Sequence, residues 1–343
     1  MKQEDEKYIR RCIQLALNGR CNAAPNPMVG AVIVCDGVII GEGYHVKCGE
    51  AHAEVNAIRS VKDPSLLKRS TIYVSLEPCA HYGKTPPCAD LIIEKQIPRI
   101  VIGCKDPFSK VAGRGIQKLI DAGRDVTVGV LEDDCKALIQ RFVTFHTHHR
   151  PYITLKWAES ADGFIDRQRT EGTPVILSTP LTAMLVHKRR AEHSAILVGQ
   201  HTAALDNPRL DIRHWYGRPP VRLVLDRCSQ LPLDLNLFDD SQPTYVFTEH
   251  PHPALPAVEY IPLDYSSDIL PQLLHKLYER KLQSLLVEGG AQLLQSFIDA
   301  DLWDEIFVET SPLLLGSGVR APQINNEKKY DTEQSFGRTI RHY

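Results

Sequence analysis

One loop constrains this chain more than any other stretch. It covers residues 75–88, which read SLEPCAHYGKTPPC, and it is preceded by the triplet His-Ala-Glu that begins at His52. The loop supplies two thiols, Cys79 and Cys88, and the triplet adds an imidazole and the carboxylate of Glu54. Structural Zn²⁺ sites fill four positions with protein ligands, whereas catalytic sites use three and leave one for water. Three good ligand candidates therefore predict a catalytic zinc site.

Glu54 suits a proton-transfer role beside such a metal. Zinc lowers the pKa of a bound water to about 7, and a non-ligand glutamate moves the proton to the leaving amine in zinc deaminases. Residues two apart within a helix point to nearly opposite sides, so His52 and Glu54 can share a site only where the helix begins. Apolar Val55 and Ile58 follow directly, which predicts a helix that starts near His52.

Two other interpretations of this loop stay open. A zinc deaminase of another substrate, such as a nucleic-acid editor, typically carries Pro-Cys-x-x-Cys, whereas eight residues separate Cys79 from Cys88 here. A structural zinc in a binding protein would need a fourth ligand, for which His81 is the only obvious candidate. The remaining cysteines show no ligand pattern and are expected to be small buried residues: Cys12, Cys21, Cys35, Cys48, Cys104, Cys135 and Cys228.

Composition narrows the class of protein. A length of 343 residues predicts two domains. The net charge of -2 provides no basic surface for nucleic acid, and no apolar run is long enough to span a membrane. An odd number of cysteines without an apolar leader near the N-terminus predicts a reducing, cytoplasmic location.

The first part of the chain has the pattern of an α/β domain. Apolar positions at helical spacing predict an opening helix over about residues 9–17. VGAVIVC and VIIGEGY flank Asp36-Gly37, which is a strong hairpin signal. Helices and strands then alternate: a helix from His52, strand TIYVSLE, a helix after Cys88, strand RIVIGC, helix RGIQKLIDAG and strand DVTVGV. This order predicts a sandwich in which the metal ligands lie at helix starts.

A polar stretch, His146 to Pro151, follows a helix predicted to end near Phe145. We take it as the boundary between a first domain, 1–146, and a second domain, 150–343. Its histidines lack a companion cysteine or carboxylate, so a solvated linker is favoured over a second metal site.

The second part predicts another α/β sheet. A strand over 151–158 is followed by strands AILVG, VRLVLD, TYVFT, SLLVEGG and EIFVET, with helical patterns near 180–193, 267–282 and 291–299. Glu288-Gly289-Gly290 ends one strand and leads into the helix AQLLQSF. Two glycines there would let a phosphate approach the helix N-terminus, and a plain turn is the alternative.

Taken together, these stretches resemble a known family. EPCAHYGKTPPC, with HAE and PNPMVGAVIV before it, resembles the deaminase half of the bifunctional deaminase/reductase family of riboflavin biosynthesis. LKWAESADG, ILVGQHTAALDNPRL, VRLVLD and VEGGAQLL occur in the order of its reductase half. The resemblance implies a cytidine-deaminase-like α/β/α sandwich followed by a dihydrofolate-reductase-like α/β domain.

The resemblance also implies two consecutive reactions. The first is zinc-dependent hydrolytic deamination of 2,5-diamino-6-(5-phosphoribosylamino)pyrimidin-4(3H)-one. The second is NADPH reduction of the ribosyl group of 5-amino-6-(5-phosphoribosylamino)uracil to a ribityl chain. Zn²⁺ and NADPH are thus the implied cofactors, the partners are small-molecule substrates, and a homo-oligomer, dimer or tetramer, is expected.

Residue by residue, the resemblance puts the zinc ligands on His52, Cys79 and Cys88 and the proton shuttle on Glu54. Contacts of the deaminase substrate fall on Asn26, His45, Lys84 and Asp106. NADP contacts fall on Ala158, Val175, Thr202, Asp206, Gly290, Ala291, Gln292, Leu293, Leu294, Gln295 and Ser296. Contacts of the reductase substrate fall on Thr173, Arg190, Leu210, Arg213 and Glu288. Surface salt bridges are the alternative for the two arginines, a turn for Asn26 and a solvated loop side chain for Lys84.

Three positions depart from the family pattern. Phe108 stands where an asparagine is common after the RIVIGC-type strand. Thr173-Pro174-Val175-Ile176 replaces Ser-x-Trp-Ile, which removes an aromatic side chain beside the cofactor, and Asn207 replaces an aspartate before Pro208. The alternative function is therefore a deaminase whose reductase half is weak or inactive.

Overall fold

The computed structural model describes residues 2–82, 86–107, 113–250, 255–325 and 328–343. The chain divides into two compact units, Met1–His148 and His149–Tyr343, which we call unit 1 and unit 2. No helix among the described residues combines the length and the apolar character needed to cross a bilayer.

Unit 1 alternates helices and strands around one sheet. In chain order its elements are α1 (Lys2–Ala16), β1 (Gly30–Cys35), β2 (Val38–Tyr44), α2 (Ala53–Ser60), β3 (Thr71–Leu76), α3 (Cys88–Glu94), β4 (Arg99–Cys104), α4 (Arg114–Asp121), β5 (Asp125–Val128), α5 (Glu132–Leu138) and α6 (Gln140–His148). The strand order is β2-β1-β3-β4-β5. Strand β1 is antiparallel to both β2 and β3, while β3, β4 and β5 are parallel.

The predicted hairpin between β1 and β2 is confirmed. Asp36 and Gly37 both have positive φ, 50° and 77°, as the central residues of a type I′ turn require. Such a turn matches the right-handed twist of the two strands. The turn therefore sets which residues of β1 and β2 pair.

Helices cover both faces of the unit 1 sheet. On one face Ala57 of α2, Ile92 of α3 and Leu119 of α4 belong to the same buried cluster as Ile33 of β1. On the other face, α1 and α5 form a second buried cluster that includes Val32. Neighbouring side chains of β1 thus enter opposite cores, as the period of a strand requires. The expected α/β/α sandwich is confirmed.

A buried ion pair joins α1 to the middle of this sheet. Asp5 is only 5% exposed and accepts hydrogen bonds from Tyr73 Oη at 3.1 Å and Arg99 Nη2 at 2.8 Å. Burial alone would raise the pKa of Asp5, but the Arg99 guanidinium outweighs it and holds the pKa below its ordinary value. The carboxylate is therefore charged when α1 is docked.

Unit 2 is built on a larger sheet. Its elements are β6 (Tyr152–Glu159), β7 (Phe164–Asp166), α7 (Pro180–Ala191), β8 (Ala195–Gly199), α8 (Gln200–Asp206), β9 (Val221–Leu225), β10 (Thr244–Thr248), β11 (Val258–Pro262), α9 (Ile269–Glu279), β12 (Ser284–Glu288), α10 (Ala291–Asp299), β13 (Glu305–Thr310), β14 (Val319–Arg320), β15 (Asp331–Ser335) and β16 (Arg338–His342). The order of the main sheet is β11-β10-β9-β8-β12-β6-β13-β16-β15, and β7 pairs with β14 separately.

Seven strands of the main sheet run parallel, and the C-terminal hairpin β15–β16 adds to β13 in the antiparallel sense. One face is covered by α9 and α10, whose Leu273, Leu277 and Phe297 are fully buried. The other face holds a cluster around Ile196 and Val224. Because parallel strands end at one edge, this topology gathers the loops after β6, β8 and β12.

Some elements differ from the sequence prediction. Helix α6 continues to His148, so three residues of the predicted linker are helical. Helix α8, strand β11 and the C-terminal hairpin were not predicted, because α8 has only seven residues and the two strands of the hairpin are mostly polar.

Candidate active sites

The three predicted zinc ligands meet in unit 1. His52 Nδ1 lies 3.6 Å from Cys79 Sγ and 3.4 Å from Cys88 Sγ, and the three ligand atoms are all within 4.8 Å of one another. His52 is the N-cap of α2 and Cys88 is the first residue of α3, whereas Cys79 lies in the loop after β3. Two thiols and an imidazole at this spacing fit a tetrahedral ion that keeps one position for water.

Glu54 lies in the first turn of α2, so the extended backbone of His52 lets both side chains face one site. The carboxyl is 3% exposed. Burial, and then the neighbouring Cys79 thiolate, raise the pKa of Glu54 to about 7. A carboxyl that gains and loses a proton near neutral pH is suited to general acid and base catalysis.

The two thiols have opposite electrostatic environments. Hydrogen bonding from the Cys88 thiol, with His52 beside it, lowers the pKa of Cys79 to about 4. The same thiol contact and burial raise the pKa of Cys88. The pair therefore shares one proton, and the Cys88 backbone N–H also donates to Cys79 Sγ at 3.3 Å. A divalent ion such as Zn²⁺ can bind this donor set by displacing the remaining proton.

Asn26 and His45 extend the site away from the ligands. Asn26 Nδ2 is 3.0 Å from His45 Nε2, and His45 Nδ1 is 3.1 Å from the carbonyl of Ala51. A carbonyl only accepts, so Nδ1 carries the proton and Asn26 donates to Nε2. The two rings of His45 and His52 meet edge to face at 5.4 Å. Two of the predicted substrate residues therefore adjoin the zinc ligands.

Glu77 ties the loop after β4 to the metal loop, a role that the sequence did not suggest. Its Oε2 accepts the backbone N–H of Asp106 at 3.2 Å and of Gly113 at 3.0 Å, and its Oε1 accepts that of Gly115 at 2.9 Å. A buried carboxylate that satisfies several N–H groups fixes both ends of one loop. Lys84 and Phe108 lie outside the described residues.

A cavity of about 760 Å³ opens in unit 2 at the carboxyl ends of the parallel strands. Eight of the predicted NADP residues line it: Ala158, Val175, Thr202, Asp206, Gly290, Ala291, Gln292 and Leu294. Among the predicted substrate residues Arg190, Leu210 and Glu288 line it as well. An adjoining cavity of about 790 Å³ is lined by Leu293 and Ser296.

The remaining predicted residues of unit 2 lie elsewhere. Gln295 forms hydrogen bonds with Asp299 and Gln323. Successive residues of a helix face different directions, so residues 290–296 cannot all face one cavity. Thr173 and Arg213 are exposed and are not among the residues that line either cavity.

The glycine pair at the start of α10 is a tight turn. Gly289 has φ of 99° and Gly290 has φ of 79°. A Cβ at Gly289 would come within 2.9 Å of Thr202 Cγ2. Both the conformation and the space therefore require glycine, and the backbone at this end of the cavity is open to a ligand.

Charged side chains form the floor of the 760 Å³ cavity. Arg190 holds Glu288 through two hydrogen bonds, Nε to Oε1 at 3.1 Å and Nη2 to Oε2 at 2.7 Å. Burial works to raise the pKa of Glu288, but Arg190 and Lys156 bring it below its ordinary value. Burial lowers the pKa of Lys156. Arg190 is thus engaged with a carboxylate of the protein.

The departures from the family pattern have structural counterparts. Arg169 forms ion pairs with both Asp166 and Asp206. Asp166 also accepts a hydrogen bond from the backbone N–H of Val175 at 3.1 Å. The segment 173–176, which replaces Ser-x-Trp-Ile, is therefore attached to the wall of the cavity. Asn207 ends α8 with φ of 41°, a left-handed conformation that asparagine tolerates well.

Sequence reasoning missed several residues that line the two cavities: Lys156, Asp166, Arg169, His201 and Arg227. Only Lys156 carried a usable signal, since a lysine inside an apolar strand pattern is unusual. The others come from loops, from the end of β7 and from α8.

Comparisons with known proteins agree with this geometry. The family model described as the RibD C-terminal domain matches residues 151–335, and the cytidine and deoxycytidylate deaminase zinc-binding region matches residues 2–104. The riboflavin biosynthesis protein RibD of Bacillus amyloliquefaciens is 38% identical over 330 residues, covering 93% of this chain and 87% of that protein. RibD of Escherichia coli K12 is 34% identical and covers 99% and 96%.

A solved structure from Thermotoga maritima is similar along the whole chain. It is a diaminohydroxyphosphoribosylaminopyrimidine deaminase/5-amino-6-(5-phosphoribosylamino)uracil reductase, with a TM-score of 0.90, 38% identity, and coverage of 99% of this chain and 98% of that one. Both halves of the chain are matched by these comparisons, and nothing in them supports a chain with only one working half.

Proposed function

Because the chain belongs to the RibD family, and is thus a bifunctional deaminase and reductase of riboflavin biosynthesis that uses Zn²⁺ and NADPH, we propose a division of labour between its units. Residues 1–146 form the deaminase domain and residues 150–343 form the reductase domain. The division of the chain between His148 and His149 and the two matched ranges support this assignment.

The substrates are those named for the Thermotoga maritima relative. The first domain removes the 2-amino group of 2,5-diamino-6-(5-phosphoribosylamino)pyrimidin-4(3H)-one as ammonia. The second reduces the ribosyl group of the resulting 5-amino-6-(5-phosphoribosylamino)uracil to ribityl. The product of one reaction is the substrate of the next, which suits two catalytic domains in one chain.

In the deaminase domain His52, Cys79 and Cys88 would hold zinc. Bound there, zinc activates water as a nucleophile at neutral pH. Glu54 would carry a proton from the attacking water to the leaving amine, a role that its burial and a pKa of about 7 support. Asn26 contacts the pyrimidine, while His45, Lys84 and Asp106 help to hold the base or the ribose phosphate.

In the reductase domain NADPH supplies the hydride to C1′ of the substrate. Ala158, Val175, Thr202, Asp206 and the start of α10 would hold the cofactor, and the backbone of Gly290 would bind one of its phosphate groups. The substrate lies against Thr173, Arg190, Leu210, Arg213 and Glu288. Arg190 fixes the Glu288 carboxylate at the cavity floor, so that a polar group of the substrate meets it in one orientation.

One observation carries the proposal: three ligand atoms within 4.8 Å of one another beside a buried carboxyl. The test is to mix zinc-loaded protein with the diaminopyrimidinone and NADPH and to follow ammonia release and NADPH oxidation together. We expect ammonia first and NADPH oxidation after it. Ammonia without NADPH oxidation would refute the reductase assignment, and the absence of both signals would refute the proposed substrate.

We further propose that the enzyme works in the cytoplasm as a homo-oligomer, a dimer or a tetramer, without nucleic acid or membrane as a partner. Nine free cysteines, two of them zinc ligands, support a reducing compartment. Light scattering coupled to size exclusion tests the oligomeric state, and a monomer at micromolar concentration would refute it.

A further inference from the structure

One ring nitrogen of a buried histidine in unit 2 has no hydrogen-bond partner in the described part of the chain. His187 lies on α7 and is only 4% exposed, and its Nδ1 bonds none of the residues that the structure describes. A buried polar atom without a partner costs free energy, so native proteins rarely keep one without a use. The proposed function assigns no role to this side chain.

Asp211 lies just beyond reach of that nitrogen. Its Oδ1 is 3.9 Å from His187 Nδ1 and accepts a 2.5 Å hydrogen bond from Arg213 Nη1. The Asp211 backbone carbonyl accepts from Arg190 Nη1 at 3.2 Å, which fixes the backbone while the carboxylate can still turn. Two basic side chains, Arg213 and His187, therefore lie beside the Asp211 carboxylate, and Arg213 binds it in the protein without substrate.

The groups that face His187 explain why it does not compete with Arg213 for Asp211 before the substrate binds. Arg190 lies on α7, the helix that also carries His187. Arg213 and His214 belong to the segment after α8, and Glu288 ends β12. Burial, followed by the positive charges of Arg190 and Arg213, lowers the pKa of His187 to about 4. The ring is therefore neutral near pH 7, and His214 packs edge to face on it with centroids 4.8 Å apart.

We propose that Arg213 and His187 bind Asp211 in turn: when the phosphate of the substrate takes Arg213, Asp211 turns to His187, which accepts a proton from solvent. This inference rests on the proposed function, in which Arg213 contacts the phosphorylated substrate of the reductase. Arg213 is half exposed and can turn outward, whereas Arg190 is only 14% exposed and engaged with Glu288.

Charge balance supplies the driving force. Once Arg213 pairs with a phosphate, the Asp211 carboxylate lacks its counter-ion, and the positive charge that disfavoured protonation of His187 is neutralised. An opposite charge at hydrogen-bond distance raises a histidine pKa. His187 thus acts as a positioning residue, because it stabilises the released Asp211 without contacting the reacting atoms. Binding of the phosphorylated substrate is then coupled to proton uptake.

The test is calorimetric titration of the full chain, saturated with NADP⁺, with 5-amino-6-(5-phosphoribosylamino)uracil near pH 6.5. Two buffers of different ionisation enthalpy report the number of protons bound, which should approach one per chain. The reductase KM should rise with pH, because the neutral imidazole binds the proton less readily as pH increases.

Three variants separate this role from a structural one. His187→Asn keeps an N–H donor near the position of Nδ1 but cannot titrate, so substrate affinity should stay within about threefold while proton uptake and the pH dependence of KM disappear. His187→Leu removes the donor, so KM should rise about tenfold with kcat retained. His275→Asn changes an exposed histidine on α9 and should behave as the parent.

Proton uptake that persists in His187→Asn, or a parent whose NADP⁺ complex binds the substrate without taking up a proton, would overturn the inference and leave the proposed function intact. A parent that neither binds nor reduces the aminouracil substrate would overturn both. A reductase kcat that stays near the parent value in each variant shows that unit 2 is folded.

Discussion

At the scale of single residues, the deaminase site depends on where a helix starts. His52 precedes α2 in extended conformation and Glu54 lies in its first turn, so a ligand and a proton carrier two positions apart face one point. Inside a regular helix the same spacing would separate them. The reductase site uses another local device, the pair Gly289 and Gly290, whose positive φ opens the backbone at the start of α10.

Replacing Glu54 with glutamine keeps the shape of the side chain and removes its ability to carry a proton. Deaminase kcat should fall by at least about a hundredfold, the usual contribution of a general acid and base. Zinc content, measured by atomic absorption, should stay at the parent level because Glu54 is not a ligand. The reductase rate on preformed aminouracil substrate is the internal control. Unchanged ammonia release would contradict the assignment.

Replacing Gly289 with alanine introduces a Cβ 2.9 Å from Thr202 Cγ2 at a residue with φ of 99°. We expect KM for NADPH to rise roughly tenfold through displacement of this turn, because strain of this kind is about 1–3 kcal/mol. Gly337→Ala is the matched control, since it has φ of 75° and nothing within 4 Å. Equal kinetic effects of both substitutions would argue against a local role.

At the scale of elements, docking of α1 combines apolar burial with one buried charge. Ile9 and Cys12 are fully buried against the sheet, and Asp5 binds Arg99 and Tyr73 at the other end of the helix. The apolar side chains supply most of the free energy, while the ion pair fixes the position of the helix along the sheet.

Asp5→Asn should lower the free energy of unfolding by about 2 kcal/mol near pH 7, because the partly buried Arg99 loses its nearer carboxylate and keeps only Asp125, 3.5 Å away. The pKa of Asp5 is lowered in the folded state. Its contribution is therefore complete above the unfolded-state pKa of about 4 and is lost as pH falls through the folded-state pKa. Urea denaturation of both proteins from about pH 3 to 8 measures this.

The difference between parent and Asp5→Asn should shrink towards zero in acid. Glu4→Gln, an exposed change on the same helix, should have little effect at any pH. A constant difference across the pH range would show that the carboxylate charge is not what stabilises the docked helix.

At the scale of the whole molecule, two units with separate cores carry two different chemistries. Zinc ligands and Glu54 belong to unit 1, and both large cavities named above belong to unit 2. Each reaction should therefore respond to loss of its own cofactor alone.

Removal of zinc with a chelator should abolish ammonia release and leave NADPH oxidation with the preformed aminouracil substrate within about twofold of its original rate. Re-addition of Zn²⁺ should restore ammonia release, because His52 and Cys88 lie at helix starts and Cys79 lies in the short segment after β3. The two rates are measured on one sample by coupled ammonia detection and absorbance of NADPH. Parallel loss of both activities would contradict independent sites.

Local patterns in the sequence determined much of this protein. Asp36-Gly37 specified a hairpin, apolar periodicity predicted most helices and strands, and the spacing from His52 to Cys88 indicated a zinc site with one ligand position left for water. These features depend on backbone conformation and on residue type over short distances, which a sequence displays directly. Family resemblance then indicated the two reactions.

Only the tertiary structure decided which distant side chains meet. Glu77 binds both ends of a loop some thirty residues away, Arg190 is engaged with Glu288, and Asp211 lies between Arg213 and His187. Such contacts join residues up to about a hundred positions apart in the sequence. Periodicity carries no information about them, because the balance of burial and charge at each group depends on the packing of separate elements.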